Sequence, residues 1–158
     1  MVKQSLSAEV LKALAGKRLA TAESLTGGGI GQTLTSVSGA SAGFAGGIIS
    51  YTNEVKHNVL GVPVETLNTF GAGSAPVARA MAEGARGVIG ADVAVAVTGL
   101  AGPDGDEFGN PVGTVFIGYA DGHTAFAREY HFGGDRAAVR EQTIEAALAL
   151  ILEAVNET

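Results

Sequence analysis

Apolar positions along the chain change their spacing often enough to mark a succession of short elements. Val10, Leu11 and Leu14 recur at helical spacing and Gly16 offers a stop, which predicts an opening helix. Arg18 to Glu23 (RLATAE) predicts a short strand that runs into Ser24-Leu25-Thr26-Gly27-Gly28-Gly29. Beyond it, Ile30, Leu34 and Val37 predict a helix closed near Gly39. A second strand is expected over Ala42 to Tyr51, interrupted by glycines. Asn53 is expected to cap a short helix carrying Val55, Val59 and Leu60, which Gly61 and Pro63 end. Another short helix follows over Pro63 to Phe70. A longer one runs from Ser74 to Ile89, with Ser74 as N-cap, Pro76 in the first turn and Val77, Met81 and Val88 on its apolar positions.

The clearest strand is Asp92 to Thr98 (DVAVAVT), whose lack of polar alternation implies burial on both faces. A polar Gly/Asp/Pro loop, Gly99 to Pro111, leads to strands at Gly113 to Ala120 and Thr124 to Phe132. Asp135 then caps a final helix with Val139, Ile144, Ala147, Leu148, Ile151 and Leu152. Strands flanked by helices on this scale predict an α/β fold, a three-layer α/β/α sandwich with a mixed central β-sheet. At 158 residues, with no repeat and no linker, the chain reads as a single domain spanning 1–158.

Composition narrows this picture. Glycine is 24 of 158 residues, about twice the average share of ~7%. There is no three-residue period, and 46% of residues are hydrophobic, so neither collagen nor a disordered linker accounts for the surplus. The glycines belong to a packed fold. A formal charge of -6 and a pI near 4.9 disfavour nucleic acid and anionic membrane as partners. The absence of cysteine removes disulfides, thiolate metal sites and thiol nucleophiles, leaving Ser, Thr, Lys or a carboxylate for covalent catalysis. Lys3, Glu9, Lys12 and Lys17 break up the first residues, unlike a signal peptide, and no long uncharged apolar window follows. A cytoplasmic location is expected.

Three loop clusters follow strands or open helices. In Thr21 to Gly29, hydroxyls at a strand end precede glycines whose backbone N–H groups can face a phosphate or an oxyanion. Alternatively, Ser24 or Thr26 merely caps the next helix. In Tyr51-Thr52-Asn53-Glu54-Val55-Lys56, Lys56 is either a solvated charge or, in an apolar pocket, a neutral general base for a serine. In Thr98 to Gly105 and Asn110 to Val115, glycines permit close backbone approach to a ligand, or simply an ordered loop. Gly133 to Arg140 adds Arg136 and Arg140 four apart on one helical face, able to clamp a phosphate or to solvate that face. His57, His123 and His131 form no triad or metal set, and Asp104, Asp106 and Glu107 lack a second acidic cluster. No metal and no cofactor is expected.

Taken in order, TAESLTGG (21–28), YTNEVK (51–56), GVPVETLNTFGAGS (61–74), TGLAGPDG (98–105), PVGTV (111–115) and GGDRAAVR (133–140) make the chain resemble the CinA C-terminal domain family. That family's characterised members are nicotinamide-nucleotide amidases, and the chain looks like its stand-alone form. The resemblance implies hydrolysis of nicotinamide mononucleotide to nicotinic acid mononucleotide and ammonia, in pyridine nucleotide recycling. It implies Ser24 as nucleophile, Lys56 as general base and Tyr51 as a hydrogen-bonding third member. Thr26, Gly27, Gly28, Thr98, Gly99, Ala101 and Gly102 would bind substrate, with Arg136 and Arg140 on its phosphate. It also favours a homodimer or larger homo-oligomer, to which the small-residue face Ala78, Ala82 and Ala85 could contribute if it does not pack on the sheet.

Three departures from the family's usual pattern stand out. Leu25 replaces a common Cys, Gly73 stands where Val is common, and the loop 105–110 has extra acids and Asn110 in place of Lys. Two other readings remain on the sequence alone: a non-catalytic nucleotide-binding or regulatory module, and an amidase for a related phosphorylated amide.

Overall fold

The computed structural model describes residues 2–157 and forms an α/β/α sandwich. Its elements are α1 (Val2–Ala13), β1 (Leu19–Glu23), α2 (Gly29–Thr35), β2 (Phe44–Ile49), α3 (Asn53–Asn58), α4 (Val64–Phe70), α5 (Ala75–Ile89), β3 (Val93–Gly99), β4 (Thr114–Ala120), β5 (Ala125–His131) and α6 (Arg136–Asn156). The five strands are ordered β2-β1-β3-β4-β5. Strands β1, β2 and β3 run parallel, while β4 is antiparallel to β3 and to β5. The sheet is therefore mixed, as expected. No helix among the described residues is long and apolar enough to cross a membrane.

The uniform apolarity of β3 conceals an alternation in size. Val93, Val95 and Val97 join the core formed with α1, α2 and α6, including Val10, Leu34, Val139 and Leu148. Ala94 and Ala96, with Ala20 and Ala22 of β1, face Val77, Met81, Ala82 and Ala85 of α5. Small residues on this second face let α5 approach closely: a Cβ at Gly118 of β4 would lie 2.2 Å from the Ala78 carbonyl oxygen. Ala78, Ala82 and Ala85 are fully buried, so this face is used within the chain.

Boundaries shift where local chemistry favours a neighbour. The cap of α3 is Thr52, not Asn53: its Oγ1 accepts from the Val55 N–H at 3.3 Å, and Asn53 becomes the first helical residue. Ser74 and Asp135 do cap α5 and α6, accepting from Val77 and Ala138. Helix α2 ends at Thr35, short of Val37, and a 3₁₀ turn over Ala40–Ala42 delays β2 to Phe44. Gly47 in β2 is required by its neighbour, since a Cβ there would sit 2.2 Å from Thr21 Oγ1 on β1.

Candidate active site

Strand β1 lies inside the sheet between β2 and β3, and its C-terminal end is held from both sides. The Ser24 N–H donates to the Val97 carbonyl at 3.1 Å, and the Ser50 N–H donates to the Glu23 carbonyl at 2.8 Å. Ser24 therefore stands where the chain leaves the sheet, at a crossover between neighbours on opposite sides, the usual place for a ligand crevice in parallel sheets. The ends of β1, β2 and β3, the start of β4 and the loop before α6 converge there. Residues at and after the ends of β1, β2 and β3, with others from 67–73 and 99–108 and Arg136 at the start of α6, line a cavity of about 770 Å³.

Helix α3 brings Lys56 into this cavity. Its side chain is 1% exposed, and Nζ donates to Ser24 Oγ at 3.1 Å and to the Tyr51 carbonyl at 3.0 Å. Burial without a carboxylate partner destabilises the ammonium, bringing the Lys56 pKa down from 10.5 to about 8. An amine that is partly neutral near pH 7 can take a proton from an adjacent serine hydroxyl, the geometry that nucleophilic attack by a serine requires. Tyr51 enters this pair through its backbone. Its ring is 59% exposed, and its hydroxyl accepts from Arg136 Nη2 at 3.3 Å.

The turn after Ser24 is set by Glu23, which sequence reasoning did not single out. Its carboxylate is 3% exposed and accepts from Thr26 Oγ1 at 2.6 Å, the Ile30 N–H at 2.8 Å and the Gly31 N–H at 3.0 Å. The Thr26 hydroxyl is thus committed to Glu23. Of the residues expected to bind substrate, Thr98, Gly99, Ala101, Gly102 and Arg136 line the cavity together with Ser24, Tyr51 and Lys56; Thr26, Gly27, Gly28 and Arg140 do not. Arg136 donates to the Gly102 carbonyl at 2.7 Å, leaving further donors of its fork for a ligand. Arg140 instead reaches the carbonyls of Leu25 at 3.0 Å and Thr26 at 3.3 Å.

The unusual loop closes one wall. Asp106 accepts from the Phe108 N–H, the Asn110 N–H and Asn110 Nδ2 at 3.1, 3.0 and 2.8 Å. Desolvation acts to raise its pKa, but these hydrogen bonds outweigh it and hold the carboxyl below its ordinary value. Asn110 therefore organises the loop and does not line the cavity. Phe108 packs against Gly71, where a Cβ would meet the ring at 2.6 Å. Leu67, Asn68 and the backbone of 71–73 complete the lining, with Thr98 Oγ1 donating to the Ala72 carbonyl at 2.8 Å. These residues fall within a recognised sequence block but carry no motif that announces a ligand. The described residues contain no group of three His, Asp or Glu arranged to hold a metal ion.

Comparison with known proteins places the geometry in context. A family model described as the CinA C-terminal domain matches residues 3–155. The nicotinamide-nucleotide amidohydrolase PncC of Pseudomonas putida is 46% identical over 140 residues, covering 89% of this chain and 88% of that protein. A CinA-like protein of Geobacter sulfurreducens is 51% identical over 133 residues, covering 84% of this chain but 32% of the relative. The chain spans about a third of the length of several curated relatives it matches. Among solved structures, a CinA superfamily protein from Klebsiella pneumoniae superposes with a TM-score of 0.96 at 35% identity, covering 99% of both chains. The competence/damage inducible protein CihA from Agrobacterium tumefaciens superposes at 0.93 with 38% identity, covering 99% and 96%.

Proposed function

Because the chain belongs to the CinA C-terminal domain family, we propose that it is an amidohydrolase that converts the carboxamide of nicotinamide mononucleotide to the carboxylate, releasing ammonia. The observation that carries this reading is the 3.1 Å contact between Ser24 Oγ and the buried, pKa-lowered Lys56 Nζ. The activity for which the Pseudomonas putida relative is named supports the substrate. So does the cavity wall, where Asp104, Asp106 and Glu107 stand with Arg136. Carboxylates and one guanidinium suit a zwitterion with a cationic pyridinium ring and an anionic phosphate.

The reaction needs a proton to leave Oγ as it attacks. With Lys56 neutral, the same contact runs the other way: the Ser24 hydroxyl donates to Nζ, and Oγ attacks the amide carbon. The resulting ammonium gives that proton to the departing nitrogen, the C–N bond breaks, and ammonia leaves an ester on Ser24. Water then attacks the ester while Lys56 takes one of its protons, Oγ regains that proton from Nζ as the C–O bond breaks, and the carboxylic acid released gives its proton to solvent to become the carboxylate. The Tyr51 carbonyl keeps Nζ aimed at Ser24 throughout. Arg136 holds the phosphate. This chemistry recycles a pyridine nucleotide within the cell. The expected homodimer or larger assembly rests on family likeness alone, since the α5 small-residue face is occupied within the chain.

Incubation of the purified protein with nicotinamide mononucleotide, with ammonia followed continuously, is expected to show release that Ser24→Ala abolishes. No release by the wild type, or undiminished release by the variant, rejects the reading.

A further inference from the structure

Two buried backbone amides beside the nucleophile have no protein acceptor. The N–H of Ser24 is committed to Val97, that of Gly27 to the Ser24 carbonyl, and that of Gly29 to the Thr26 carbonyl. The N–H groups of Ile30 and Gly31 are taken by Glu23. Among the described residues of this turn the N–H groups of Leu25, Thr26 and Gly28 donate to nothing, and of these three residues only Leu25 and Thr26 are buried, at 4% and 1% exposed. Buried backbone N–H groups left unpaired are rare and demand a reason.

Arg140 supplies half of the reason. A trans peptide places its N–H opposite its C=O. The Leu25 carbonyl is held by Arg140 Nε at 3.0 Å, which turns the Thr26 N–H away from the guanidinium. The Ser24 carbonyl is held by the Gly27 N–H at 3.1 Å, which fixes the Leu25 N–H in the same manner. Arg140 Nη2 adds a grip on the Thr26 carbonyl at 3.3 Å. Opposite charges thus brace the turn, Glu23 through its donors and Arg140 through its carbonyls.

We propose that the Leu25 amide, which faces the cavity, is the oxyanion donor of this site, backed by the Thr26 amide behind it in the same turn, and that Arg140 is a positioning residue that fixes this turn rather than a ligand of the substrate phosphate. The proposal rests on the amidohydrolase reading for its reaction. The amide after a nucleophilic serine is a recurrent oxyanion donor, and Leu25 lines the cavity beside Ser24. As Oγ adds to the amide carbon, the carbonyl π electrons move onto oxygen. The Leu25 N–H, backed by that of Thr26, stabilises that charge, which returns to the carbonyl bond when the C–N bond breaks.

The test compares wild type, Arg140→Ala and Arg140→Lys on nicotinamide mononucleotide and on its dephosphorylated riboside, with Arg136→Ala as the phosphate-contact control. Loss of a positioning group is expected to lower kcat about 10²-fold, by the same factor on both substrates, with KM changed less than about threefold. Added guanidinium should restore part of the rate to Arg140→Ala. A rise in KM confined to the phosphate-bearing substrate, as expected for Arg136→Ala, overturns the assignment. Labelling of Ser24 by a fluorophosphonate gives a second readout that needs no natural substrate. Slower labelling by folded Arg140 variants supports the proposal even if the wild type hydrolyses neither nucleotide, and unchanged labelling refutes it. Circular dichroism checks folding, and Arg140→Lys, which keeps charge and stem, supplies the measurement if the alanine variant is unfolded.

Discussion

Replacing Lys56 by Met removes a charge that the fold holds at a cost, so the variant is expected to be inactive and more stable at neutral pH. A pKa lowered from 10.5 to about 8 corresponds to about 3 kcal/mol at ~1.36 kcal/mol per unit. The hydrogen bonds from Nζ to Ser24 and Tyr51 offset part of it, at about 1 kcal/mol each. The expected net gain for Lys56→Met at pH 7 is roughly 1–3 kcal/mol, or about 5 °C in Tm for a domain of this size. The sign depends on pH. Below about 8 both folded and unfolded wild type carry the proton and the cost is fully present. Between about 8 and 10.5 the folded state sheds the proton that the unfolded chain keeps, so wild-type stability rises and the variant's advantage shrinks. Urea unfolding at pH 7 and pH 10 reads this difference. The same shift predicts that wild-type kcat/KM, followed by ammonia release, rises with pH up to about 8 and then levels. At pH 7 about a tenth of the enzyme then holds neutral Lys56, against roughly one part in 3000 at an unshifted pKa. A Met variant no more stable at pH 7, an advantage unchanged at pH 10, or a rate profile flat through pH 8 would each refute the reasoning.

Arg136→Ala is expected to raise KM for nicotinamide mononucleotide about 10–100-fold while leaving kcat within about threefold, since a charged hydrogen bond of about 1.5–3 kcal/mol is lost; steady-state kinetics separate the two constants. Glu23→Gln leaves one acceptor oxygen where the carboxylate serves three donors, so a loss of about 2 kcal/mol is expected in denaturant unfolding, together with a lower kcat as the Ser24 turn loosens. Gly118→Ala would place a Cβ 2.2 Å from the Ala78 carbonyl oxygen, forcing α5 off the sheet at about 1–3 kcal/mol, measurable as a lower urea midpoint with KM unchanged.

The apolar spacing of β3 and α5, and the caps Ser74 and Asp135, made much of the layer architecture legible, because those signals are local. Thr52 displaced Asn53 as a cap because both side chains can accept from a helix N–H and only the entry angle of the chain decides between them. The sheet order was not legible, since pairing of β1 with β2 and β3 is set by distant residues. In the site, Ser24 and Lys56 were readable as residue types without their separation, which depends on α3 folding back over the end of β1. Glu23 was visible in the sequence, but nothing local distinguishes a carboxylate that braces a turn from a solvated one. Likewise the spacing of Arg136 and Arg140 suggested one shared ligand, whereas four residues of helix carry their guanidinium groups to different backbone carbonyls.

The mixed sheet also divides the molecule into two ends with different freedom to change. Ser24, the 50–56 segment, the 99–113 loop and the start of α6 all meet at one edge. The opposite edge holds the turns at 14–18, 90–92 and 121–124 and no residue of the cavity. The hairpin at Asp121 to Thr124 closes on its own hydrogen bonds, with Asp121 accepting from the His123 and Thr124 N–H groups. A reporter peptide or surface tether spliced in after Gly122 would therefore project from the far side of the sheet, giving an immobilised enzyme whose catalytic mouth faces open solution.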